Sequence, residues 1–271
     1  VAVVLGCSAT YSNLFGCSFD DKRQTILGDA RTSHDALNAL DGGSTYLDGD
    51  IDMGSKSLDE SWTPSWENLV GYWKMDGSAM EDSGNGHHGT LTGDTSFSAI
   101  DAHIGSHAAT FDGDGDSIFI GDVLDMTGSP FAIAFWVKVE ELGKINPLIN
   151  KFSTDGNYRV IIRDNNRYSF GIRNSDSIFQ GSVSSYVASA DRWDHVVVTF
   201  DNETTSNTYI NGTLNATRSN YAITRGDTTQ GLQFGYASDL GVGFSGSLDD
   251  IAIWDTGLTA TEVLAIYNRQ R

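Results

Sequence analysis

Three observations predict that most of this chain is an all-β antiparallel sandwich of the jelly-roll kind. Thirty Gly against three Pro, with Ser, Thr, Asn and Asp scattered between short apolar runs, is the composition of many strands joined by tight turns. From Leu69 onward the strand-like runs recur at short intervals: LVGYWKM, DSIFIGD, PFAIAFWVKVE, PLINKFS, YRVIIRD, RYSFGIRN, HVVVTFD, NTYING, LQFGYAS and LDDIAIWD. The run FAIAFWVKV puts Phe131, Ile133, Phe135 and Val137 on one face and Ala132, Ala134, Trp136 and Lys138 on the other, so it predicts a strand buried on one side and partly covered on the other.

The elements follow in chain order. VAVVLGC has too short an apolar run for a signal-peptide core or a membrane span and reads as a buried strand, although Val-Leu-Gly-Cys loosely resembles a bacterial lipoprotein box. Cys7 and Cys17 are the only cysteines; their spacing permits a local disulfide, and free buried thiols are an equal alternative. Composition changes near SWTPSWEN, because Trp is absent from residues 1–60 and then appears at positions 62, 66 and 73. The boundary divides the chain into residues 1–66 and 67–271. In the first part STYLDGDIDMGSKSL has a short-period pattern that resembles the repeats of phage tail fibres and related trimeric bacterial fibres. That resemblance implies an N-terminal fibre-like β segment that makes the chain a homotrimer; a flexible acidic linker is the plainer alternative.

Within the second part, DGDGD, Asp112 to Asp116, spaces acids like the start of a calcium-binding EF-hand loop, but Ser117 takes the place of its glycine and Val123 that of its terminal Glu. It is expected to be a hairpin turn feeding SIFIG, with an extra ion there as the second reading. TYING predicts a hairpin turning at Asn211-Gly212. TATEVLAIYNRQR places Val263, Ile266 and Tyr267 at helical spacing, and Thr259 with Glu262 makes a capping box, so a short C-terminal helix should lie on the sandwich.

A formal net charge of −19 argues against binding nucleic-acid phosphates or an anionic membrane and suits cations and neutral ligands. The loop DSGNGHHGTLTG looks like a metal site, yet adjacent His87 and His88 diverge on an extended chain and no third nitrogen or sulfur ligand stands at a zinc spacing. Oxygen ligands remain, the type calcium prefers.

GYWKMDG, DSGNGHHGTL, HAATFDGDGDSIFIG, FAIAFWVK, RWDHVVVTFD, TYINGTL and GSLDDIAIWDTGLTATEVLAIY, in that order, resemble the laminin-G-like domains of the concanavalin A-like lectin and glucanase superfamily, from about Leu69 to the C-terminus. The resemblance implies two antiparallel sheets face to face, first and last strands side by side, a frequent calcium ion, and functions dominated by binding sugars or proteins. With the terminal strands adjacent, Asp76, Asp82, Asn85, His88 and Asp249 would converge as the ligands of one structural calcium. A plain Asn-Gly turn at 82–88 is the alternative.

Glucanases of the superfamily line three acids along one strand as E-x-D-x-E, a pattern missing here; Glu140 and Glu141 are adjacent and diverge, and no G-x-S-x-G elbow is present. Trp193 and His195 are read as packing residues rather than sugar platform and base. Asn202, Asn211 and Asn215 begin glycosylation sequons. Tyr158, Tyr168, Phe179, Tyr186 and Tyr236, in or beside connections, are the candidate ligand-stacking rings. The expected protein is an extracellular or cell-surface adhesin that binds a glycan or glycoprotein. A structural fibre or assembly protein is the alternative, and a glycoside hydrolase the lesser one.

Overall fold

The computed structural model describes residues 56–127, 130–152, 157–173, 179–201, 204–221 and 227–271. They belong to a compact unit spanning Ser55–Arg271. Cys7, Cys17 and the fibre-like stretch as far as residue 55 lie outside the described residues.

The strands are β1 (Leu69–Trp73), β2 (Thr90–Thr92), β3 (Ser96–Ser98), β4 (Ala108–Asp112), β5 (Ser117–Gly121), β6 (Phe131–Val139), β7 (Asn146–Asn150), β8 (Asn157–Ile162), β9 (Arg167–Arg173), β10 (Phe179–Val187), β11 (Trp193–Asp201), β12 (Thr205–Ile210), β13 (Thr213–Arg218), β14 (Leu232–Phe234), β15 (Tyr236–Ala237), β16 (Val242–Gly243) and β17 (Ser245–Trp254). One helix, α1 (Ala260–Gln270), follows. Eight strands form one sheet, in the order β13-β12-β11-β6-β17-β4-β3 with β1 also paired to β17. Seven form the other, in the order β10-β9-β8-β7-β14-β5-β2. All recorded pairings between strands of these sheets are antiparallel.

Alternation along each strand decides which side chains fill the space between the sheets. Phe131, Ile133, Phe135 and Val137 of β6 meet Tyr158, Val160 and Ile162 of β8 and Tyr168, Phe170 and Ile172 of β9 in one apolar cluster. Phe131 packs its ring against Tyr158, Phe170 and Phe200 at centroid distances of 5.3, 6.0 and 5.7 Å. Fully burying rings of this size stabilises by roughly 2–3 kcal/mol each.

The opposite face of β6 and β17 is buried as well. Ala132, Ala134, Ala252 and Trp254 form a second apolar cluster with Leu58, Tyr72, Val263 and Ile266, and Trp62 and Trp66 pack on it. Helix α1 supplies Val263 and Ile266, and its start is fixed by the expected capping box: the Glu262 N–H donates to Thr259 Oγ1 at 3.3 Å and the Thr259 N–H to Glu262 Oε2 at 2.7 Å. Beneath the helix runs a buried polar chain. The Leu58 N–H donates to the Tyr72 hydroxyl at 2.9 Å, that hydroxyl donates to Asp250 Oδ1, Gln270 Nε2 donates to Asp250 Oδ2, and the Trp136 indole donates to Gln270 Oε1 at 3.1 Å.

Two connections differ in how well they match expectation. TYING does turn as a hairpin between β12 and β13, with Asn211 and Gly212 at φ 52° and 73°, the left-handed pair that such two-residue turns require. DGDGD does not. β4 belongs to the eight-stranded sheet and β5 to the seven-stranded one, so this acidic turn is a corner that carries the chain across the sandwich. A local sequence cannot say whether the strand after a turn returns to its neighbour or crosses over.

Candidate functional site

The ends of the domain meet through β1 and β17, paired from Leu69 with Trp254 to Trp73 with Ile251. In β17 the register against β6 slips between Asp249 and Ala252, and Asp250 sits at φ 50°. Adjacent strand residues normally point to opposite faces; one extra residue at a bulge removes that rule. Asp249, opposite Trp136, and Asp250, bonded to Gln270, are thereby both turned to the helix side of the sheet.

Both carboxylates are buried. Asp249 Oδ2 accepts the N–H groups of His103 and Ile104 at 3.0 and 2.9 Å, whereas its Oδ1 has no partner. Burial pushes Asp249 up to about 8; the Ile104 and His103 donors oppose this, and the charges of Asp250 and Asp76 add to it. Burial pushes Asp250 up to about 7 against the Tyr72 and Gln270 hydrogen bonds. Exposed Asp76 grips the same segment: its Oδ1 accepts from the Ser106 N–H, the Ser106 hydroxyl at 3.1 Å and the His107 N–H at 3.2 Å. Gly105, at φ 67°, permits this approach, since a Cβ there would collide with the Asp76 carboxylate. One short segment, 103–107, therefore donates to Asp76 and Asp249 together.

A hard cation takes carboxylate and carbonyl oxygens. Asp249 offers a buried oxygen with no partner, and Asp76 a second carboxylate whose charge is felt there. These two carboxylates are oxygen donors of the kind calcium takes and supply part of the six to eight it needs. The other three expected ligands have partners within their own loop. Asp82 Oδ1 lies 3.6 Å from Lys74 Nζ, Asn85 Nδ2 donates to Ser83 Oγ at 2.9 Å, and His88 Nδ1 accepts the Glu81 N–H at 3.0 Å. Glu81, which sequence reading passed over, organises that loop. Its carboxylate accepts N–H bonds from Tyr72 at 3.0 Å, Ser83 at 2.6 Å and Gly86 at 2.9 Å. Burial alone would raise the group, yet these donors hold it below the ordinary Glu value. The signal available in the sequence was an acid immediately before a glycine-rich turn full of N–H groups.

A second acidic group was also missed in part. Asp94 joins Asp112 and Asp116, their carboxylate oxygens all within 4.8 Å of one another. Asp116 accepts the Asp94 N–H at 2.8 Å and the Asp112 N–H at 3.0 Å, so it pins the corner between the sheets.

Two of the five candidate stacking rings lie in the core. Tyr158 and Tyr168 are fully buried, which corrects their assignment as ligand contacts: a ring inside the sandwich presents no face to a sugar. The Tyr158 hydroxyl donates to the Leu124 carbonyl at 3.0 Å. The Tyr168 hydroxyl donates to Asp194 Oδ2 at 3.0 Å, and half-buried Tyr186 donates to Asp194 Oδ1 at 2.6 Å. Asn211 Nδ2 binds the same carboxylate at 2.9 Å while its Oδ1 accepts the His195 N–H at 2.8 Å. The Asn211 amide is thus engaged on both sides, which removes it as an accessible sequon. Half-buried Tyr236 lies in β15, and Phe179 stands opposite Arg173 at the start of β10.

Trp193 and His195 do serve packing. The buried His195 ring lies 4.9 Å from Trp136 and 5.9 Å from Tyr267, between centroids, and neither of its nitrogens has a hydrogen-bond partner. Burial, with a smaller contribution from His103, lowers it to about 3. His103 stacks 3.7 Å from Trp136 and 5.3 Å from Trp193.

No curated protein matches this chain by sequence. Among solved structures, the binding domain of Paraclostridial Mosquitocidal Protein 1 superposes with a TM-score of 0.64 at 18% identity, over 75% of this chain and 52% of that one. The botulinum neurotoxin serotype G binding domain superposes with a TM-score of 0.62 at 19% identity, over 75% and 51%. The binding domain of botulinum neurotoxin DC in complex with SialylT superposes with a TM-score of 0.61 at 15% identity, over 76% and 52%. The chain spans about half the length of these structures, and at such identities the likeness is one of fold. A family profile, Laminin_G_3, described as "Concanavalin A-like lectin/glucanases superfamily", matches residues 112–264. With two antiparallel sheets, a shared core and adjacent terminal strands, the chain belongs to this laminin-G-like family of the concanavalin A-like superfamily.

Proposed function

We propose that the chain is a recognition protein whose laminin-G-like head binds a glycan or glycoprotein on a target surface, acting outside the cell as an adhesin or fibre tip. The observation that carries the reading is the fold itself, which it shares with domains named for receptor binding, one of them solved with SialylT. Support against hydrolysis comes from the acids. Asp194, Asp249 and Asp250 each hold structural hydrogen bonds, and Glu141 is exposed and ion-paired with Lys144 at 2.6 Å. No described helix is long and apolar enough to cross a membrane, which is compatible with secretion and says nothing of a β-barrel. Asp76 and Asp249 would hold one calcium, whose role is to fasten the 103–107 segment to the terminal strand. The fibre-like stretch at 44–58 would bring three chains together.

A glycan array probed with the full chain tests the reading, with light scattering on the same sample. Saturable binding to a restricted set of glycans by a trimer is expected. A trimer that binds no glycan favours the structural fibre or assembly role, and a monomer at micromolar concentration removes the fibre context.

A further inference from the structure

We propose, resting on the recognition reading above, that the ligand site is on the outer face of the seven-stranded sheet and takes a sugar bearing a carboxylate, held by Arg159 and Arg163. On β8, Tyr158, Val160 and Ile162 point into the core, so Arg159 and Ile161 point away from it. On β9, Tyr168, Phe170 and Ile172 point inward, leaving Ser169, Gly171 and Arg173 on the outer face. The register sets Arg159 beside Gly171 and Ile161 beside Ser169.

A cavity of about 200 Å³ opens here, between Arg159, Arg163 and Asp164 on its polar side and Ile145 and Ile161 on its apolar side, with Gly171 among its lining residues. Its size suits a single sugar ring. Gly171 is itself paired with Gly181 of β10, so two neighbouring strands carry no side chain next to Arg159, and a ring can approach the sheet there. The isoleucines offer the apolar contact that the C–H face of a sugar needs.

Electrostatics selects the acidic sugar. The chain carries a formal charge of −19, yet three arginines gather on this face. Arg159 and Arg173 both lie over the Phe152 ring, at 4.2 and 5.0 Å from its centroid, which fixes them as cation–π partners. Arg159 also pairs with Asp239 at 3.1 Å. Burial holds its guanidinium below the usual Arg value; the Asp239 charge opposes this, and the nearby positive charges of Arg173 and Arg163 add to it. A bound anion relieves that repulsion. The planar guanidinium fork matches a carboxylate in a way that an ammonium does not. In the same row, Asn150 lies beside Arg159 and Gln233 beside Asn150. Both Asn150 amide atoms and Gln233 Oε1 are buried without a protein partner.

Titration calorimetry on the full chain is the test, with a glucuronate-terminated, a sulfated and a neutral disaccharide of the same backbone as probes. The expected result is binding of the glucuronate probe that weakens as salt rises, with a neutral probe at least tenfold weaker. Arg163→Ala, at an exposed site, should cost the glucuronate probe about tenfold and leave the melting temperature in place; Arg163→Lys should restore only part of it. Tighter binding of the sulfated probe would overturn the carboxylate assignment. Glucuronate binding indifferent to Arg163→Ala and to Arg159→Gln, or equal binding of neutral and acidic probes, would overturn the site while leaving glycan recognition intact. A chain that binds none of the probes and nothing on the glycan array would overturn the recognition reading itself.

Discussion

The two sheets share one core and differ on their outer faces. On the eight-stranded sheet the outer face is sealed over its central strands: all ten residues of β17 are buried, α1 and Leu58 lie over the strands, and a buried hydrogen-bonded chain runs through Leu58, Tyr72, Asp250, Gln270 and Trp136. On the seven-stranded sheet the outer face keeps Val183 and Val187 exposed at 41% and 47%, carries arginines and glycines, and has a cavity. Sealing one face serves stability, because a sheet buried on both sides contributes two apolar layers. The face left open is where a ligand can be met. The contrast teaches that buried acids in this molecule are structural, and that the site should be sought among exposed or half-exposed cations.

If that contrast is right, the largest penalty comes from thinning the seal. Ile266→Ala on α1 should cost about 2–5 kcal/mol, the range for emptying a well-packed core position, as read from urea denaturation. Asp250→Ala should follow at about 3 kcal/mol, because it leaves the Tyr72 hydroxyl and the Gln270 amide buried without their acceptor. If either variant is as stable as the parent, the sealed face is not what holds the sandwich.

Calcium at a hundredfold excess over its Kd should add about 2.7 kcal/mol of stability, measured as a shift in thermal unfolding on adding chelator. Asp249→Asn should abolish that shift and His88→Ala should not. A shift that survives Asp249→Asn would move the ion elsewhere, for example to the Asp94, Asp112 and Asp116 corner.

His195 sharpens the comparison through pH. Burial depresses its folded-state pKa to about 3, so its contribution is fully present above the unfolded value near 6.5 and is lost as pH falls from there toward 3. By pH 5 the linkage amounts to about 2 kcal/mol. His195→Phe, which removes two buried nitrogens without partners, should lessen the loss of stability between pH 6.5 and 5 in parallel denaturation curves, the remaining loss being that of His103, which burial lowers to about 4. The smallest effect is expected on the open face, where Val183→Ala should change stability by no more than about 0.5 kcal/mol.

Sequence periodicity reached the core strands and the helix because each carries its own pattern: β6 alternates large inward and small outward residues, and TATEVLAIYNRQR carries both cap and apolar stripe. It did not reach β10, FQGSVSSYV, whose Gly and Ser residues give no apolar alternation and which is ordered by pairing with β9. The same limit applied to the rings. Tyr158 and Tyr168 stand next to turns in the sequence, and only the second sheet, closing over them, makes them core.

The sequence by itself determined the fold class, the turn at Asn211-Gly212, the capped helix and the pairing of the domain's ends that its family resemblance implies, since these follow from local propensity and from a pattern spread over many residues. Tertiary structure alone decided the rest. The bulge at Asp250 turns two adjacent acids to one face against the rule of alternation, Glu81 gathers N–H groups from β1 and from its own turn, and β8, β9 and β10 set Arg159 in one row with Gly171 and Gly181. Each depends on register between strands far apart in the chain, and register is fixed by how whole sheets pack, which no short stretch of sequence encodes.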